Sequence, residues 1–130
     1  MSDQQKSLLA IVEQGGYPDF TPLYESLGYK VITAPSMRKA LAMIKQHKPD
    51  TITAEFIYSP MYSARISNLE SLFAALQNQQ LNPQLFIFID KEELHHLNKL
   101  EMQLYVSHVL TYPINEENIL NCLNVHSPVS

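Results

Sequence analysis

Three oxygen-bearing side chains stand where chemistry is easiest to build: Glu13, Gln14 and Glu55. Glu13 and Gln14 directly follow the apolar run SLLAIV (residues 7–12), and Glu55 lies in the β-rich run TITAEFIY (residues 51–58). Oxygen-bearing side chains gathered at strand ends direct attention to all three as a possible ligand site. Other reactive residue types lead to less. His95 and His96 are adjacent, so on a helix their side chains diverge by about 100° and should not chelate one ion together. Cys122 has no His or Lys beside it in sequence and reads as a packed thiol. Gly15-Gly16-Tyr17 sits where a phosphate loop would, but it lacks both the Gly-x-Gly-x-x-Gly spacing and a following Lys-Ser/Thr, so it reads as a turn. With no Ser-His-Asp or Cys-His arrangement, neither enzymatic activity nor a bound cofactor is expected.

The elements that must position these residues alternate in period. Residues 7–12 form a continuous apolar run, the pattern of a strand covered on both faces. Asp19 is placed to cap a short helix carrying Phe20, Leu23, Tyr24 and Leu27, which Gly28 stops. YKVITA (residues 29–34) reads as a second strand, and Ser36 caps a helix with Met37, Ala40, Leu41 and Ile44 at helical spacing. Residues 51–58 form the third strand, and Ser67 with Glu70 makes a capping box before Leu69, Leu72, Phe73 and Leu76. LFIFI (residues 85–89) is the fourth strand, followed by a helix at roughly 91–105 that carries Leu94, Leu97, Glu101 and Leu104 on one side. HVLTY (residues 108–112) is the fifth, and Asn115 caps a last helix through Ile119, Leu120 and Leu123. Five strands alternating with five helices imply one α/β domain over residues 1–130. The expected form is a flavodoxin-like, doubly wound parallel sheet in the order 2-1-3-4-5, with Ile11, Ile52, Phe86 and Ile87 buried. Ligands of such sheets bind where the first and third strands end, and Glu13, Gln14 and Glu55 fall there.

The bulk properties narrow the function classes. The 130 residues are 45% hydrophobic and 17% charged, as expected of one globular domain. A net charge of −4 without a basic cluster argues against nucleic-acid binding. No apolar run approaches the roughly 18 residues of a membrane span. MSDQQKS has no signal-peptide pattern, and the single cysteine fits a reducing cytoplasm.

The stretch LYESLGYKVITAPSMRKALAMIKQHKPDTITAEF (residues 23–56) resembles the receiver domain of two-component response regulators, the CheY-like family of phosphorelays. It shows the family's Leu-x-x-x-Gly-Tyr corner, its Ala-Leu helix and its Pro-Asp pair before the phosphoacceptor strand. VLTYPINEENIL (residues 109–120) resembles the family's Lys-Pro corner and final helix. The resemblance implies an acidic pair at Glu13 and Gln14, an acceptor Asp at Glu55, a hydroxyl near Asp90 or Ile89, and a Lys at Tyr112. The family's Mg²⁺ is held by the acidic pair and the acceptor, which leaves Glu13 and Glu55 as its candidate ligands here. The family's Pro after the acceptor strand appears at Pro60, one residue late.

Each departure weakens phosphoryl chemistry. An extra methylene displaces the Glu55 oxygen by more than about an ångström, which can cost on the order of a hundredfold in rate. Tyr112 deletes the cation, and Glu13, Glu55 and Asp90 should together repel a phosphoryl group. Two readings of Glu55 stay open: a longer carboxylate that imitates the phosphorylated state, or a solvated strand-end residue in a drifted pocket. The expected protein is a stand-alone pseudo-receiver that is not phosphorylated and acts on other signalling proteins or as a homodimer. The alternative is a flavodoxin-like sensor of a small molecule or nucleotide. The resemblance implies a partner face on the fourth helix, fifth strand and fifth helix, here Leu100, Met102, Tyr105 and Val109. Val109 stands at the family's switch aromatic.

Overall fold

The computed structural model describes residues 5–58, 67–98 and 106–124. Five parallel strands, β1 (Lys6–Ile11), β2 (Tyr29–Ala34), β3 (Thr51–Glu55), β4 (Gln84–Ile89) and β5 (His108–Thr111), form one sheet in the order β2-β1-β3-β4-β5. Between them run α1 (Thr21–Ser26), α2 (Met37–His47), α3 (Leu69–Asn78), a 3₁₀ turn (Lys91–Glu93) leading into α4 (Leu94–Leu97), and finally α5 (Glu116–Asn124). The order and direction are those expected from the alternating periods.

Local signals act as their chemistry requires. The Ser36 side chain accepts from the Lys39 N–H at the start of α2, and Lys48 ends that helix in a left-handed conformation. Half of the expected Ser67–Glu70 box forms: the Ser67 N–H donates to Glu70 Oε1 at 2.7 Å, but Ser67 Oγ accepts from the Leu69 N–H at 3.1 Å, and Asn68 rather than Ser67 is the residue that caps α3. Asn115 and Asn118 exchange backbone-to-side-chain hydrogen bonds ahead of α5. Asp19 departs slightly from expectation. Its Oδ1 accepts from the Thr21 N–H at 2.9 Å, but Phe20 is the residue that caps α1. The third strand is also shorter than its β-rich run, because its ladder to β4 ends at Glu55.

Strand alternation sorts the core into two faces. Leu9, Ile11, Ile52, Ala54, Ile87 and Ile89 pack against α2, α3 and Leu97. Leu8, Ala10, Phe86 and Phe88 face the other way, toward Phe20, Tyr24, Ile114 and Ile119. Thr51, Thr53 and Glu55 belong to this second face, since they alternate with Ile52 and Ala54 and the register pairs Leu8 with Thr51 and Ala10 with Thr53. The four residues expected in the core, Ile11, Ile52, Phe86 and Ile87, are buried. No helix among the described residues is long and apolar enough to cross a membrane. Of the helix expected at 91–105, Leu94 is half-buried and Leu97 buried. Glu101 and Leu104 lie outside the described residues, as does Pro60.

Candidate functional site

Glu55 ends β3 and is only 1% exposed, so the solvated strand-end reading is wrong. The cause is the β1–α1 loop, which folds over the carboxylate and donates to it three times. The Gln14 N–H reaches Oε1 at 2.7 Å, the Gly15 N–H reaches Oε2 at 3.2 Å, and the Tyr17 hydroxyl donates to Oε2 at 2.5 Å. Such convergent N–H groups require an unusual backbone, and Gly15 at φ +72° and Gly16 at φ +89° supply it. The Gly-Gly-Tyr turn thus uses phosphate-loop logic on the protein's own carboxylate.

Tyr17, which the sequence reading treated only as part of a turn, is the centre of the site. Its ring meets Phe88 edge-on at 5.2 Å and stacks near Tyr112 at 6.0 Å and Phe20 at 6.3 Å. Phe88 pairs with Glu55 across the ladder, so it is the β4 residue on this face. Ile89 is buried on the opposite face, and Asp90 is exposed just beyond the strand. Burial first, then the Glu55 hydrogen bond and charge, holds the Tyr17 phenol well above its ordinary ionisation. The Tyr112 phenol is raised likewise, by burial first and then by the carboxylates of Glu55, Asp90 and Glu93. Asp90 and Tyr112 line a cleft of about 500 Å³ with Gln14, Gly15 and Gly16.

Glu13 turns to different partners. Its Oε2 accepts from the Met37 N–H at 3.2 Å, at the start of α2, and its Oε1 from Asn68 Nδ2 at 2.7 Å. The same Nδ2 donates to the Glu55 backbone oxygen at 2.7 Å, and Asn68 Oδ1 accepts from the Ile57 N–H at 2.8 Å. Asn68 therefore ties β1, β3 and α3 together. It was missed in sequence because it sits inside the Ser67–Glu70 cap, where nothing local marks it. Of the three carboxylates, Glu55 and Asp90 both act on the Tyr112 phenol, while Glu13 is bound by the Met37 N–H and Asn68.

The weaker candidates are also placed. Cys122 is half-buried, and burial raises its thiol. The His95 and His96 rings do not diverge but lie 3.9 Å apart, with His96 stacked on Tyr58. No group of three or more metal-ligating side chains occurs among the described residues. Val109 on β5 is 40% exposed, whereas Leu100, Met102 and Tyr105 lie outside the described residues.

No protein-family model and no curated protein matches the sequence. Solved structures do match. A response-regulator receiver domain protein from Clostridium thermocellum superimposes with a TM-score of 0.71 at 17% identity, covering 92% of each chain. A receiver domain of a Francisella response regulator gives 0.68 at 20% identity, over 92% of this chain and 94% of that one. The Vibrio cholerae chemotaxis protein CheY4 gives 0.63 at 18% identity, over 93% and 98%. The fold is that of a response-regulator receiver domain.

Within the receiver fold, the residues at the acceptor site do not fit Mg²⁺. Three donors already take three of the about four acceptor positions of Glu55, and Gln14 offers an amide where a second carboxylate would be needed. The site therefore lacks the open, multiply charged oxygen set that a hard dication takes. Tyr112 places an aromatic ring beside Tyr17, and among the described residues no Lys or Arg is seen donating to Glu55.

Proposed function

We propose that this chain is a receiver-like signalling module of the two-component type that works through protein contacts without aspartyl phosphorylation. The observation that carries the proposal is the enclosure of Glu55: it is buried, three donors bind its carboxylate, and the Tyr17 hydroxyl closes over it. A phosphoryl donor needs an exposed nucleophile with a cation opposite it, and this arrangement supplies neither. Function then rests on surfaces. The face around β5, where Val109 is exposed, is the contact surface that the receiver resemblance suggests, for a signalling protein or a second copy of the chain. Fixed donors around Glu55 support a single constitutive arrangement of the site rather than one that waits for a phosphoryl group.

The test is direct. Incubation with acetyl phosphate and Mg²⁺ should leave the mass of the intact protein unchanged. A stable increment of one phosphoryl group, abolished by Glu55→Ala, would overturn the proposal.

A further inference from the structure

A cavity of about 260 Å³ lies under α1, between that helix and the β2–β1–β3 part of the sheet. Its walls include Ala10, Val12, Tyr17, Phe20, Tyr24 and Thr53. The space has a cause in the sequence. α1 has only six residues, about 9 Å of helix, so it cannot cover three strands. The strands beneath it present small side chains at Ala10, Thr33 and Thr53, where the opposite face presents Leu9, Ile11 and Ile52.

We infer that this cavity is a binding site for a small neutral aromatic molecule of one or two rings with one hydrogen-bonding group. Size sets the first limit: an apolar cavity of about 150 Å³ accommodates benzene, so this one has room for a fused pair of rings. The walls set the second. The Tyr17–Phe20 and Phe20–Tyr24 ring pairs, each 6.3 Å apart, make an aromatic side on which a planar molecule stacks. Charge sets the third. No Lys, Arg or His lines the cavity, and Asp19, its one charged residue, is exposed and already accepts from the Thr21 N–H. Anions, including the phosphates of nucleotides and flavins, find no counter-charge there. The Thr33 hydroxyl stands at the exposed β2 side, and Tyr24 bonds the Thr53 side chain.

Tyr17 links this cavity to the acceptor site. Its ring forms part of the wall while its hydroxyl donates to Glu55. A ligand resting on that ring changes the surroundings of the β1–α1 loop that covers Glu55. The inference goes beyond the contact role proposed above and does not depend on it: an empty cavity would leave that role standing.

Amide NMR titration of the full chain with indole, and separately with benzoate as an anionic control, tests it. Indole should bind saturably at one site, moving the amides of Ala10, Thr33 and Thr53 and, through Tyr17, those of Gln14 and Gly15. Benzoate should bind at least about tenfold more weakly. Ala10→Leu and the exposed change Thr33→Leu, each filling the space, should each lower indole affinity by about tenfold or more. Thr33→Leu keeps the test valid if Ala10→Leu fails to fold. Absence of saturation, equal binding of benzoate, or unchanged affinity in a folded cavity-filling variant would each overturn the inference.

Discussion

The two faces of the sheet are built from the same five strands to different ends. On the α2–α3–α4 side, β1, β3 and β4 present Leu9, Ile11, Ile52, Ala54, Ile87 and Ile89, all buried against aliphatic and Phe side chains. On the α1–α5 side, the same strands present Ala10, Thr51, Thr53, Glu55 and Phe88, with tyrosines closing over them. The first face has the residue types of a core whose only task is packing. The second accepts buried polar groups and a cavity, which a face selected for stability alone would replace with methylenes. The two faces thus differ in what they hold: one only close apolar packing, the other buried polar groups and open space.

The largest effect should come from breaking the packed face. Phe73 on α3 is fully buried there, and Phe73→Ala should cost about 3–5 kcal/mol in denaturant unfolding. A smaller loss, near that of a surface site, would mean that this face also has room to collapse and that the contrast between the faces is false.

Breaking the polar face should cost less but show more. Glu55→Ala leaves the Gln14 N–H, the Gly15 N–H and the Tyr17 hydroxyl without their acceptor, at a cost of about 2–3 kcal/mol. Tyr17→Phe removes one donor and keeps the ring, so about 1–2 kcal/mol is expected. Equal losses in the two variants would show that the backbone donors contribute nothing. Hydrogen exchange at Gln14 and Gly15 should speed up markedly in the first variant and only slightly in the second.

The packed face was the more legible of the two in the sequence. Runs such as SLLAIV and LFIFI announce strands because burial on both sides demands apolar residues throughout, and Ser36, Ser67 and Asn115 mark helix starts through local bonding. The polar face depends on long-range contacts that carry no local sign. Glu55 is legible from its place in the β-rich run and from the receiver resemblance, but its partners are not, since Tyr17 lies 38 residues away in a turn that reads as merely conformational. Asn68 was hidden by the cap around it and contacts Glu13 across 55 residues. A Tyr directly after a Gly-Gly bend, facing a Glu at a strand end, is a pattern that only the fold brings together.

The tyrosines sharpen the comparison through pH. Tyr17, Tyr24 and Tyr112 all lie on the α1–α5 side, and burial foremost raises each above the ordinary value of 10.0. In the unfolded chain they ionise at about that ordinary value, while in the folded protein they stay protonated. Their contribution is thus complete below pH 10 or so and is lost as pH rises above it toward the folded values. Stability should fall steeply on alkaline titration, and tyrosinate absorbance should rise together with unfolding. The fall should be shallower in Tyr17→Phe, because one of the three groups no longer titrates. Tyrosinate formation in a fully folded chain would mean that this face is open to water.

The smallest effect is expected at Tyr112, the receiver's lysine position. Tyr112→Lys gives up the ring contact with Tyr17 at 6.0 Å, worth about 0.5–1.5 kcal/mol. It gains a cation near Glu55, Asp90 and Glu93, whose charges already act on the Tyr112 phenol, and a partly exposed cation in that setting returns up to about 1 kcal/mol. The two terms nearly cancel, so thermal unfolding should change by less than about 1 kcal/mol. The informative measurement is chemical. In the double variant Glu55→Asp, Tyr112→Lys, the receiver's acceptor and lysine are both restored, while the Gln14 and Gly15 N–H groups and the Tyr17 ring remain. If the loop around the acceptor excludes phosphoryl transfer, this variant should still gain no mass from acetyl phosphate with Mg²⁺. Phosphorylation should appear only when Tyr17→Ala is added, since that change alone removes the ring beside the acceptor. Phosphorylation of the double variant by itself would assign the loss of chemistry to the two altered side chains and make the aromatic packing its consequence.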